Sequence, residues 1–429
     1  MSTCEIGGHH RHAPISGKQG GTPGRSLFVA ETYDPGVGWV WRDYGWVTPQ
    51  GTSVRDPNGQ MSDIATSAVL GMPRVTGMSQ PAGAGCAASS SAIGYDANGN
   101  TASQDDFNGN RTCHAYDQVR NLETVRVEGL AGGTACAGAT GVTASIPSGS
   151  RKITTDWHPF WRLRSKVAEP GRITHYVYNG QADPLANNAL ASCAPPSAQL
   201  PDGTRIAVLC RKVEQATSDS DGSLGFAAAP QAGVPWREER WTYNADGQIL
   251  SHDGPRTDAS DITTNEYYTS TSFSGTDTSA VGYNRGDLKK TTNALNQSTT
   301  FDLYNKAGNL LQMSDPNGVV TVNVYDARQR RTSSSVAGQT RAYDYWPTGL
   351  LKRVTEADSS WLYYEYDAAH RLYRVSDSLG NYVTYTLDNF GNRTVEDVRD
   401  PSNVLRRQLG RGVDALGRVQ LITGREGTQ

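Results

Sequence analysis

A tyrosine followed by Asp or Asn, with a glycine three residues further on, recurs along this chain at a nearly constant interval. No other feature limits its folding so sharply. The theme reads Tyr95-Asp96 with Gly99, Tyr243-Asn244 with Gly247, and Tyr304-Asn305 with Gly308. Looser copies are Tyr116-Asp117, Tyr283-Asn284, Tyr325-Asp326, Tyr345 with Gly349, Tyr366-Asp367, Leu387-Asp388 with Gly391, and Val413-Asp414 with Gly417. The steps 95 to 116, 283 to 304, 304 to 325, 345 to 366 and 366 to 387 are each 21 residues, and 325 to 345 is 20. A fixed period of this size signals stacked supersecondary units rather than an ordinary globular core.

Within a unit a second turn falls about half-way, at Asp106 to Gly109, Asn293 to Asn296, Asp315 to Gly318 and Asp377 to Gly380. Asp or Asn at the first turn position bonds its own backbone, and glycine at the fourth accepts a left-handed conformation, which predicts a type I turn with a bulge. Each unit therefore reads as a hairpin. The intervening runs, such as Leu310 to Ser314, Val319 to Tyr325, Leu372 to Ser376 and Tyr382 to Leu387, have the β-branched and aromatic content of strands. Period-2 alternation puts Thr174, Tyr176 and Tyr178 on one face, and likewise Leu362, Tyr364 and Tyr366. The fold class is all-β, a tandem array of antiparallel hairpins with almost no long helix.

Composition supports this and excludes other classes. Gly 46, Pro 20 and Tyr 20 of 429 residues suit many turns and half-buried pleated surfaces. Forty Lys+Arg against 43 Asp+Glu give a net charge of −3, which offers no phosphate-tracking surface, so nucleic acid is not an expected partner. No apolar run is long enough to span a membrane. The His-rich start lacks the apolar stretch of a classical signal peptide. Three parts are expected: a disordered tail over 1–30, an atypical β segment over 31–85, and the repeat array over 86–429. Loop excursions are expected in the array at about 129–150 and 180–233.

The Tyr-Asp repeat with its mid-unit Asp-x-x-Gly turn resembles the Rhs (rearrangement hotspot) or YD-repeat family, which includes bacterial polymorphic toxins, the C component of insecticidal toxin complexes and animal teneurins. Supporting blocks are Asp105 to Thr112, Trp157-His158-Pro159 with Arg162-Leu163, Glu169 to Arg172, Asp253 to Asp258, and Tyr366 to Leu372. The resemblance covers about 90–420. It implies a long sheet spiralling into a hollow shell around a C-terminal toxin polypeptide, in effectors that are often exported through type VI secretion. Such a protein is cytoplasmic before export and secreted or cell-surface associated after it. Nothing after Gly417-Arg418 matches the family's Pro/Asp-rich core segment or a toxin domain, so the chain reads as a segment of the shell. Expected partners are the toxin polypeptide or further Rhs core segments, with secretion machinery or a cell-surface glycan as others.

The remaining candidates for chemistry are few. Of six cysteines, Cys193 and Cys210 flank a Pro-rich loop and form the first candidate disulfide, and Cys86 with Cys113 the second; free buried thiols are the alternative. Cys4, His9, His10 and His12 suit adventitious metal capture better than a specific site. Trp39 and Trp41 share a strand face and are candidate ligand-stacking residues in the rival reading, a cell-surface or carbohydrate-binding module; core packing is the alternative. Arg285-Gly286-Asp287 spells an adhesion tripeptide but sits where a turn needs Gly and Asp. Glu365 and Glu238-Glu239 have no identifiable partner in the sequence. There is no nucleophile elbow, phosphate loop or zinc motif, and no cofactor is expected.

Overall fold

The computed structural model describes residues 26–34, 38–48, 51–55, 61–82, 87–141, 144–276, 280–413 and 419–426; for 26–52, 55 and 425–426 it describes the backbone alone. The described residues form one antiparallel sheet of 31 strands plus a small separate hairpin, Ala182–Asp183 with Ala189–Leu190. The sheet is a meander in which nearly every strand pairs with the next in the chain. Strand Leu310–Ser314 joins Val320–Tyr325, which joins Arg331–Val336, then Gln339–Tyr345, and so on to Leu405–Val413 and Val419–Glu426. The first strand, Ser26–Asp34, and the last, Val419–Glu426, each have one partner among the described residues. Among the described residues helix is confined to Cys136–Ala139 and a short 3-10 turn at Gly225–Ala227, and no helix is long and apolar enough to cross a membrane.

The turns explain the meander. At Asn305 the backbone N–H bonds the Asn309 carbonyl at 2.9 Å, while Gly308 N–H returns to the Asn305 carbonyl at 2.9 Å. The Asn305 side-chain oxygen accepts the N–H groups of Ala307 and Asn309. The same closure repeats at Asp96, Asp106, Asn244, Asn293, Asp315, Asp326, Asp367, Asp377, Asp388 and Asp400. The fourth position is left-handed: φ is +81° at Gly308 and +90° at Gly391, and Asn296, Gln329 and His370 occupy it at +60° to +62°. A five-residue closure satisfied by its own side chain leaves the chain no choice but to reverse and pair with itself.

Two excursions turn out to be insertions into turns, not departures from the sheet. The stretch expected as one loop over 180–233 contains the strand Leu209–Ala216, which pairs with Arg172–Tyr178 on one side and Arg237–Tyr243 on the other. Its polar, charge-rich sequence hid it. The earlier excursion keeps Gly129 to Ala131 in the strand Leu122–Ala131 and returns to the sheet at Arg151–Trp157. Of the tail expected over 1–30, residues 26–30 fall in the strand Ser26–Asp34, and residues 1–25 lie outside the described residues.

Burial is uneven. All three clusters of buried apolar residues fall between Cys113 and Tyr243. After Tyr243 the buried residues among those described are Ala280, Gly282, Tyr304 and Asn323. That half of the array is a single layer, with Val320 and Leu362 left 39% and 44% exposed. Its stability must come from turns and ladder bonds, so a turn glycine matters there. A Cβ on Gly308 would meet nothing within 4 Å, but φ of +81° strains any side chain. Gly308→Ala is expected to destabilise the array by about 1–2 kcal/mol, read as a lower urea midpoint at unchanged slope.

Candidate functional site

The repeat tyrosines are the parts that tie one unit to the next. Each closes its strand opposite a β-bulge: Tyr178 faces Leu209, Tyr243 faces Ile249, Tyr267 faces Leu288 and Tyr325 faces Arg331. A bulge disrupts the ladder and leaves a main-chain carbonyl in need of a donor. The tyrosine of the following unit supplies it. Tyr243 Oη donates to the Leu209 carbonyl at 2.8 Å, Tyr267 to Ile249 at 2.9 Å, Tyr304 to Leu288 at 2.6 Å and Tyr345 to Arg331 at 2.8 Å. The relay extends upstream, where Tyr178 reaches Arg164, Tyr116 reaches Thr101 and Tyr95 reaches Val75.

There are departures. At Leu310, the bulge partner of Tyr304, Asn323 Nδ2 donates in place of Tyr325. Leu387 faces the bulge at Arg393 without a hydroxyl to offer the preceding unit. The 21-residue spacing predicts Tyr283 as the repeat tyrosine before Tyr304. The structure puts Tyr267 in that role, because residues 268–287 are another turn insertion: Tyr268 N–H bonds the Asp287 carbonyl at 3.0 Å. Tyr283 instead stacks on Tyr268, ring centroids 3.7 Å apart. Tyr178, also unread as a repeat residue, announces itself only by Asn179 beside it.

The electrostatics follow from burial and turn bonding. Burial pushes the phenols of Tyr178, Tyr243 and Tyr304 up to about 12, which keeps them as donors. Turn carboxyls move the other way. The side-chain amides of Asn110 and Asn381 hold Asp106 and Asp377 below the usual range, and the N–H and guanidinium of Arg330 do so for Asp326. The structure places Asp96 with Gly99, Asp367, and Asp388 with Gly391 in the same kind of turn, and Asp117 in one a residue longer, where the Asn121 N–H bonds the Asp117 carbonyl. Asp414 and Gly417 lie outside the described residues.

Among the described residues two disulfides are present, Cys113–Cys136 and Cys193–Cys210. The expected pairing of Cys113 with Cys86 is therefore corrected. Cys113 is fully buried against Val125, Val127 and Leu130, and the insertion after Ala131 brings Cys136 over that cluster; Cys86 lies outside the described residues. The Cys193–Cys210 bond closes part of the insertion between strands ending at Tyr178 and starting at Leu209. Closing 30 residues rather than five costs roughly 1.5 kcal/mol more in loop entropy. A disulfide spanning 17 residues offsets this by about 3 kcal/mol in the chain-entropy account.

Other candidates resolve into structural contacts. Arg285 pairs with Asp246 at 2.7 Å, and Asp287 accepts the Asn284 N–H at 2.7 Å, so the adhesion tripeptide is tied up in its turn. Glu238 and Glu239, whose partners the sequence does not identify, meet Arg211 at 2.7 Å and Lys212 at 3.1 Å, and Glu365 lies 3.4 Å from Arg374. Arg211 also meets Asp183 at 2.7 Å, a contact across the insertion that no local signal foretells. Trp39 and Trp41 lie on strand Gly38–Thr48, opposite Tyr33 and Glu31. Among the described residues no group of three or more His, Cys, Asp or Glu is placed to hold a metal. The start with Cys4 and the histidines is outside them.

The RHS Repeat family model matches residues 366–404, which span the turns at Asp367, Asp377, Asp388 and Asp400. The chain is an Rhs/YD-repeat protein. The Rhs array is 36% identical over 118 residues to double-stranded DNA deaminase toxin A of Burkholderia cenocepacia (strain H111), a match covering 27% of this chain and 8% of that one. Among solved structures, TcdB2-TccC3 without its hypervariable C-terminal region aligns over 94% of this chain and 19% of its own, with a TM-score of 0.55 and 14% identity. TcdB2-TccC3-Cdc42 aligns over 92% and 19%, with a TM-score of 0.51 and 12% identity. The Rhs array thus spans a small fraction of the length of these relatives and shares their fold.

Two measurements test the relay. Tyr304→Phe is expected to cost about 1–3 kcal/mol, the penalty of leaving the Leu288 carbonyl without its donor. Tyr325→Phe, which removes no such bond, is expected to cost well under that in the same urea titration. The pH dependence has two limbs. Turn carboxyls titrate lower in the folded chain, so the unfolded chain binds more protons once pH drops below about 3.8, and stability held above that value is lost as pH falls through the folded values. The buried phenols titrate higher when folded, so stability falls as pH rises from about 10 to about 12. Absorbance titration at 295 nm is expected to show a late group of tyrosines that merges with the rest in denaturant.

Proposed function

We propose that this Rhs array is a non-catalytic stretch of the β-shell of a polymorphic toxin, which in the full-length protein encloses a C-terminal toxin polypeptide and helps deliver it. The observation that carries this reading is the one-layer sheet after Tyr243. A sheet with apolar residues such as Val322, Val324 and Leu362 on its two faces, and no second layer of its own, is a wall rather than a body. Walls acquire a function from what they bound. The toxin among its relatives and the fold shared with TcdB2-TccC3 support the same reading.

The carboxylates support a non-catalytic role. Asp96, Asp106, Asp315, Asp326, Asp367, Asp377, Asp388 and Asp400 bond their own turns, and Glu238, Glu239 and Glu365 are held by cations. Chemistry, in this view, resides in the cargo, and export is the route by which it is used. The test is protease protection of the full-length product of the gene. Whatever polypeptide follows the repeats is expected to survive trypsin while the array is folded and to be digested once the array is unfolded in urea. Equal digestion in both states would refute enclosure.

A further inference from the structure

The insertion over 179–208 rebuilds a short turn from parts far apart in sequence. Asn179 follows Tyr178 just as Asn305 follows Tyr304, and it keeps the same duties with remote partners. Its N–H donates to the Val208 carbonyl at 2.9 Å, its side-chain oxygen accepts the Cys193 N–H at 3.3 Å, and its amide nitrogen donates to the Ile206 carbonyl at 3.2 Å. The Cys193 carbonyl in turn accepts the Tyr243 N–H at 2.8 Å. Cys210 is the extra residue of the bulge between Leu209 and Arg211, and the Leu209 carbonyl is the one that Tyr243 Oη reaches. The Cys193–Cys210 bond therefore joins the two points at which the Tyr178 and Tyr243 units meet.

The second disulfide acts on the neighbouring insertion. Cys113, on strand Asn110–Asp117, holds Cys136 of the segment after Ala131. Lys152 ties this insertion to the one that follows Ala216: its side chain, with no exposed area, reaches the carbonyls of Gly141 and Ala144, and its own N–H donates to the Asp221 carbonyl at 2.8 Å. By contrast, the turns from Asn293 onward close on hydrogen bonds alone.

We propose that Cys113–Cys136 and Cys193–Cys210 form a redox latch that carries the tyrosine relay across the inserted part of the array. Oxidised, the latch holds the insertions and the register between Tyr178 and Tyr243. Reduced, it releases them and interrupts the relay there, while the strands from Ser298 onward stay paired. A dithiol such as dithiothreitol supplies the chemistry: it gives up two electrons per disulfide and closes to its own cyclic disulfide, and its two protons end on the freed sulfurs. The latch does not depend on what the array encloses.

Hydrogen exchange of the full chain, with and without dithiothreitol, tests it, with alkylation and mass mapping to confirm that the four sulfurs are free. Amides in 179–216 and 237–243 are expected to exchange on the order of 100-fold faster after reduction, with those in 298–345 unchanged. The pair Cys193→Ser, Cys210→Ser should reproduce the reduced pattern over 179–216 without reductant, while 132–157 remains reductant-sensitive through the other bond; Cys193→Ala, Cys210→Ala is the second variant. Unchanged exchange over 179–216 with all sulfurs free, or loss of protection in 298–345 at the same step, would overturn the proposal.

Discussion

A phenol hydroxyl reaching back to a bulge carbonyl is the contact that sets one unit on the last through most of the array from Tyr95 to Tyr345. It fixes three things at once. The ring must leave its strand on the face that looks toward the preceding bulge, so a slip of one residue, which flips every side chain, removes the donor altogether. The bulge must be present to offer the carbonyl. The two must lie within one strand's reach, which sets how each unit sits on the last. The sequence separation between donor and acceptor ranges from 14 residues at Tyr345 to 34 at Tyr243, while the distance stays between 2.6 and 3.1 Å. Spatial register is constant, and sequence spacing is merely its usual consequence.

Two kinds of stabilisation divide the molecule. Beyond Tyr243 most turns close on their own Asp or Asn, with Trp346 and Glu356 taking that place in two, each strand pairs with its neighbours, and little is buried. Between Cys113 and Tyr243 the insertions lie over the sheet and bring what the rest lacks: apolar clusters, a buried Arg211 with two carboxylate partners, a buried lysine and both disulfides. The inserted region is thus the most protein-like part of a chain that is otherwise a folded ribbon.

The regular part was legible because each of its turns is spelled out within five residues. Tyr304 to Gly308 or Asp377 to Gly380 states both the reversal and its geometry, and the alternation between them states the strand. Legibility failed wherever a turn was opened. Tyr267 lost its role to Tyr283 in the sequence reading because the 21-residue step to Tyr304 was kept by Tyr283 alone, whereas the true closure runs from Tyr268 to Asp287. Strand Leu209–Ala216 was missed because its pairing with Tyr176 and Glu239 is non-local and its charges suit a loop. The partner of Cys113 could not be read, since loops of similar length led to Cys86 and Cys136 and only packing against Val127 and Leu130 chose between them.

The opened turns separate what this architecture must keep from what it can vary. In a meander, alternate turns fall on opposite rims of the sheet. The insertions at 179–208 and 268–287 therefore occupy one rim, and those at 132–150 and 217–236 the other. Thirty residues enter between Tyr178 and Leu209 and the two strands remain paired as if joined by five. Each rim is in effect a row of grafting sites, at which a lineage can acquire a new surface without renegotiating the sheet that supports it.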